Sequence, residues 1–148
     1  MSQYPRPLQT MPTEQFRQWV EKNWPVWKKQ DFDAGNFTGL DAVTWTVAEA
    51  DVLEQAYKIE GKYVTYNLQL GETDVGGVPS IALYVTTPFT AAHNSYGFGA
   101  VYFNGTSTAL FVSMSSGTNY LNIYKDTFTV WANGTLDAMS ILVVFARS

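Results

Sequence analysis

Hydrophobic positions along the chain change their period once. Near the start, Phe16, Trp19, Val20, Trp24 and Trp27 fall at i, i+3, i+4, i+8 and i+11, which at about 100° per residue makes one stripe on a helix. Thr13 stands where a helix N-cap belongs, with Glu14 in the first turn. Pro25 predicts a kink, or a break into two short helices, at Trp24. A stripe this aromatic requires a cover, either the chain's own body or the same stripe on neighbouring subunits, so these five residues are the candidate oligomer or docking contacts. The repeat is shorter than the three to four heptads or so that mark a coiled coil.

Beyond Gly35 the period becomes two. In "GKYVTYNLQL", Val64, Tyr66, Leu68 and Leu70 alternate with Tyr63, Thr65, Asn67 and Gln69. With "DVLEQAYKI" and a turn at Glu60-Gly61, this predicts a hairpin with one wet face. Further strands are predicted at "AVTWTV", "SIALYVT", "GFGAVYF", "TALFVSM", "YLNIY", "TFTVW" and "SILVVFA", separated by "DVGGVP", "TPFTAAHNS", "NGTS", "SSGTN" and "NGTL". Short strands spaced about ten residues apart predict a sandwich or barrel. The expected organisation is an arm over residues 1–34 and a β domain over 35–148.

Composition sharpens this picture. In 148 residues, 16% are aromatic and only 15% charged, a balance that favours strands and tight turns. One domain of this length buries roughly two thirds of its unfolded surface without staples. Cysteine is absent, which removes disulfides, thiolate metal sites and thiol catalysis. Residues 1–36 carry five Lys and Arg against four acids, a net of +1, and residues 37–148 carry four against nine, a net of −5. So acidic a body lacks the cationic footprint of a nucleic-acid binder. The first residues show no apolar run behind their charges, and no stretch approaches eighteen apolar residues; neither a secretory signal nor membrane insertion is expected.

Candidate chemistry is sparse. Asp41, Glu49, Asp51 and Glu54 surround Trp45 in sequence, and a glycosidase needs two acids about 5–9.5 Å apart across one sugar. "AEADV" reads as a bend between strands, however, and its acids as solvated turn residues. His93 is the single histidine, too few for a zinc site, and no serine lies in a nucleophile elbow. It is read as a solvated loop residue. "GFGAV" has the glycine spacing of a phosphate loop but leads into a strand, so its glycines are read as allowing close backbone approach or a bulge. The Asn-Gly pairs 104–105 and 133–134 and Asn36-Phe37-Thr38 match glycan sequons, and the first two are read as hairpin turns. No catalytic residue, metal or cofactor is expected. Tyr63, Tyr120, Tyr124 and Trp131 are candidate surface-ligand contacts, because exposed rings suit sugar stacking or subunit contact.

The ordered set "GNFTGLDAVTWTVAEADVLEQAYKIEGKYVTYNLQL", "TDVGGVPSIALYV" and "PFTAA" resembles a module common in phage tail-fibre and other virion structural proteins. The resemblance covers residues 35–92, and the rest only by strand pattern. It implies a jelly-roll-like antiparallel β-sandwich, often a homotrimer, without chemistry of its own. It also implies a place in the virion, beside other capsid or tail proteins, as a tail-fibre, head-fibre or capsid-decoration protein that stabilises the particle or attaches it to a host-surface glycan. The arm would dock the domain or zip the trimer. The alternative is a carbohydrate-binding module or glycan-cleaving enzyme on the same sandwich.

Overall fold

Alternation of apolar and polar residues builds most of the molecule. The structure, a computed structural model, describes residues 12–23 and 26–148. One helix, α1 (Thr13–Asn23), precedes strands β1 (Trp27–Lys29), β2 (Phe37–Gly39), β3 (Val43–Thr46), β4 (Val52–Glu60), β5 (Tyr63–Leu70), β6 (Thr73–Gly77), β7 (Leu83–Thr86), β8 (Ser95–Phe103), β9 (Thr106–Met114), β10 (Tyr120–Lys125), β11 (Gly134–Leu136) and β12 (Ala138–Ala146). A nine-stranded sheet runs β1-β4-β5-β12-β8-β9-β10-β7-β2, and a three-stranded sheet runs β11-β6-β3. Every pairing between neighbours is antiparallel. The all-β antiparallel sandwich expected from the sequence is therefore present, with its strands divided unequally between two curled sheets.

The hairpin β4–β5 has the predicted faces. Val64, Tyr66, Leu68 and Leu70 are buried and Tyr63 is exposed. Its turn is Gly61-Lys62, one residue later than expected, because Glu60 pairs with Tyr63. Val43, Trp45 and Val75 of the small sheet join the same core, the Trp45 ring edge-on to Phe37 of β2 at 5.3 Å, and the Trp45 indole N–H donates to the Thr73 hydroxyl at 3.0 Å. Two separators expected as loops are strands instead: "DVGG" lies in β6, and "GTL" is β11, which pairs with it. Their short runs carry too little apolar alternation to register as strands.

The arm departs from one continuous stripe. Phe16 N–H bonds to the Pro12 carbonyl at 2.8 Å, so Thr13 lies inside the first turn and is not its cap. Phe16 and Trp19 share a helix face, their rings stacked at 6.5 Å and 16°. Val20 is in α1, but its side chain lies outside the described residues, as does all of Trp24. Trp27 leaves the helical stripe altogether: it begins β1, pairs with Lys58, and lies half-exposed with the Lys58 ammonium 5.4 Å from its ring centre. Helical spacing from Phe16 to Trp27 was fortuitous, since the helix is described only to Asn23 and Trp27 already lies in a strand. The sheet thus begins at Trp27, before the composition break at Gly35.

Residues just past β1 are tied into the core by a buried amide chain. Gln30 donates from Nε2 to the Thr86 carbonyl at 3.1 Å, which turns its Oε1 toward Tyr66. The Tyr66 hydroxyl donates to that oxygen at 2.6 Å and accepts from Gln55 Nε2 at 2.9 Å. Burial pushes the Tyr66 phenol far above its ordinary value near 10, with the Gln55 hydrogen bond opposing. The folded state therefore holds the proton more tightly than the unfolded chain. The neutral phenol's contribution is complete below pH 10 and is lost as pH climbs toward the folded value, at about 1.4 kcal/mol per pH unit. Chemical denaturation from pH 8 to 12 should show this loss in the wild type, and the Tyr66→Phe variant should lack that component. Equal pH slopes in the two proteins would contradict the assignment.

Candidate functional site

The side of the nine-stranded sheet turned away from the core is the most unusual surface of the domain. Its outward positions on β5 are Tyr63, Thr65, Asn67 and Gln69, and on β12 Ala138, Ser140, Leu142, Val144 and Ala146. On β8 they are Tyr96, Phe98, Ala100 and Tyr102, and on β9 Ser107, Ala109, Phe111 and Ser113. Tyr120, Asn122 and Tyr124 on β10 and Tyr84 and Thr86 on β7 complete it. Not one of these residues is charged, although a solvated surface ordinarily carries about a quarter to a third Lys, Arg, Glu and Asp. Charge returns at the flank, where Glu54, Lys58 and Glu60 lie on β4 and Lys29 on β1, and in turns at Asp41, Lys62, Asp126 and Asp137.

Strand register sorts this face into bands. Leu142 pairs with Phe98, Phe98 with Phe111, and Phe111 with Tyr124, so four large side chains form a ridge across β12, β8, β9 and β10. One pleat along, Ser140 pairs with Ala100 and Ala100 with Ala109, which makes a trough of small side chains beside the ridge. Phe98, at the ridge's centre, is 74% exposed and Leu142 is 52% exposed.

At one end the ridge broadens into an aromatic cluster. Phe111 stacks on Tyr96 at 5.6 Å and on Tyr124 at 6.4 Å, and Phe128 leans on both Phe111 and Tyr124 at 5.9 and 5.5 Å. Tyr84 and Tyr120 form a neighbouring pair at 5.2 Å. Partial burial pushes the Tyr84 phenol up, and the nearby Tyr124, Tyr120 and Asp41 push it the same way. Phe128 has φ 54, a conformation that is an outlier for a bulky residue and costs of order 1–3 kcal/mol. Its amide bonds to the Lys125 carbonyl at 2.9 Å, and the bend aims the ring at the cluster. Tyr96, Phe111, Tyr124 and Phe128 line an open cleft of about 400 Å³ whose polar rim includes Asn94, Ser113 and Ser115.

The expected contact residues separate here. Tyr120 and Tyr124 are on the face, and Tyr63 is at its β5 edge, 61% exposed. Trp131 is not a surface ligand contact. It is 0% exposed, donating from its indole N–H to the Ile123 carbonyl at 3.2 Å with the Lys125 ammonium 5.2 Å from its ring. "TFTVW" is correspondingly a loop and not a strand, because the turn at Phe128 breaks the alternation and drops Trp131 into the gap between the sheets. Tyr96, Phe98, Phe111, Phe128 and Leu142 were not singled out from the sequence. The available signal was the inverted alternation of "SYGFGAVYF", in which glycines face inward and rings outward.

The four acids around Trp45 in sequence occupy turns and one strand. Asp41 is an exposed turn residue at φ 58. Glu49 and Asp51 lie in a 3-10 turn, where the Asp51 carboxylate accepts the Ala48 N–H at 3.0 Å. Glu54 follows a bulge in β4, opposite Gln69. His93 is exposed in its loop, its carbonyl accepting from the Ser95 hydroxyl at 3.3 Å. Among the described residues, no three His, Asp or Glu side chains are grouped to share a metal ion, and no helix is long and apolar enough to cross a membrane. No family model and no curated protein matches the chain. Among solved structures, the chain is similar to the bovine atadenovirus type 4 fibre head protein over 73% of its own length and 100% of that chain, at 11% identity and a TM-score of 0.33.

Proposed function

We propose that this chain is a non-enzymatic phage virion structural protein, of the tail-fibre, head-fibre or capsid-decoration type, that works by surface contact in particle assembly, stabilisation or host attachment. The observation that carries the reading is the uncharged, ridge-bearing outer face of the large sheet. Water-facing sheets carry charge, so a six-strand expanse without any is built to be covered. The ordered motifs of residues 35–92, which resemble those of virion modules, supply the setting. The acids with strand-end and capping positions supply no pair with divided roles. Homotrimeric assembly, with the arm docking onto another virion protein, belongs to the same reading.

Immunogold labelling of the purified parent particle with an antibody against this chain is the test. Label confined to head, tail or fibre is expected; particles free of label and of the chain's peptides would sink the proposal. The enzymatic alternative has its own signature: reducing sugar released from host polysaccharide by the purified protein and abolished in Glu49→Gln.

A carbohydrate-binding reading is favoured by one observation, the open cleft in which Tyr96 and Phe111 stand beside Asn94, Ser113 and Ser115. Rings that stack on a sugar and amide or hydroxyl groups that bond to it are the two components such a site needs. Glycan binding lost in Tyr96→Ala, with the fold retained, would support that assignment.

A further inference from the structure

We infer that the uncharged outer face is covered by a second copy of this chain, packed with the ridge of one copy in the trough of the next. The inference rests on the reading of that face as a working contact surface and names its partner. Three features select a copy of the same chain. The first is charge: each chain carries a net −4, so two copies repel wherever their acids meet, and the uncharged ridge and trough let them approach with acids only at the margins of the face. A basic or acidic partner, conversely, would find no charge on the ridge or in the trough to pair with.

The second is shape. Large side chains at Leu142, Phe98 and Phe111 run beside small ones at Ser140, Ala100 and Ala109, in register and one pleat apart. A surface carrying a ridge and a matching trough side by side is complementary to itself, which lets identical chains meet through it. The third is area. From β5 to β7 the face is six strands wide. At about 4.8 Å between strands and about 3.3 Å per residue along them, it spans roughly 600–700 Å². That approaches the roughly 800 Å² per partner of a stable interface. Phe98, the most exposed of these side chains, is the expected anchor, since buried aromatics at the centre of an interface carry most of its energy.

Sedimentation equilibrium of the full chain at micromolar concentration tests the assignment. The wild type is expected to be an oligomer. Phe98→Asp on the ridge and Ala109→Arg in the trough should each weaken association about thirtyfold or more. Both positions point outward, so the thermal melt should remain cooperative. Val78→Asp, an exposed apolar position off this face, should leave assembly unchanged. A monomeric wild type overturns the inference, as does an oligomer indifferent to both face variants. An oligomer that dissociates on Trp19→Ala but not on Phe98→Asp also overturns it, by placing the contact on the arm. Self-association that follows this pattern in a chain never found on particles would reject the virion reading alone. Particle labelling with a monomeric chain would reject only the copy-to-copy contact.

Discussion

Replacing Gly99 with valine is expected to unfold the domain, or to leave it at least about 3 kcal/mol less stable, with the loss read as a fall in the denaturant midpoint at unchanged slope. Gly99 lies inward on β8, between β12 and β9. A Cβ there would stand 2.3 Å from the Ser140 carbonyl oxygen and 2.6 Å from Ile141 Cγ2. The first obstacle is backbone in the middle of the nine-stranded sheet, which cannot swing aside without breaking the β8–β12 ladder. Gly97 is built the same way, with a Cβ 2.5 Å from the Leu142 carbonyl oxygen. Alanine at position 99 should already cost most of this. At Gly105, by contrast, nothing lies within 4 Å, and a substitution there meets only the cost of its positive φ. A Gly99→Val protein that melts like the wild type would mean that β8 and β12 are farther apart than the structure places them.

Trp131→Ala should be the other severe change, costing about 3–5 kcal/mol by the precedent of large aromatic truncations in cores. Three losses coincide. The indole is fully buried, the Ile123 carbonyl loses its donor, and the Lys125 ammonium loses the ring it sits over. The ring also lines a cavity of about 180 Å³ with Phe103 and Leu136, so truncation would enlarge a hollow that the neighbours do not already fill. Trp131→Phe should recover part of the loss, because it restores volume but not the N–H. Urea unfolding of the two variants measures this directly. A Trp131→Ala cost under 1 kcal/mol would contradict the buried placement.

These two positions mark what the sequence could and could not disclose. The glycines of "GFGAV" were legible as places of close backbone approach because they lead into a strand and not into a helix. The structure has that approach at both, with the register of β8 unbroken. Asn104-Gly105 was legible as a hairpin because Asn-Gly is the strongest two-residue hairpin signal; in the structure both residues take positive φ and Phe103 pairs with Thr106. Trp131 was not, since the same five residues alternate well enough to read as a strand, and only the turn at Phe128 sends the indole inward. The face was half legible. Tyr120 and Tyr124 could be suspected from composition, but the ridge depends on which strands lie side by side. β12 lies between β5 and β8, and β10 between β9 and β7, an order set by long-range pairing that no local pattern records.

The two rims of the large sheet are as short as strands become. β1 and β2, at either end, have three residues each, and β1 is "WKK", with Lys28 and Lys29 exposed. A long bare rim is a template on which strand after strand can add without limit, and brevity together with lysine removes it. Growth by rim is thus blocked while the broad side remains open, so the copy-to-copy contact inferred above is expected to stop at small sets and not extend into fibrils. Lengthening β1 while replacing its two lysines with threonine should convert a protein that stays clear on concentration into one that slowly gels and binds thioflavin.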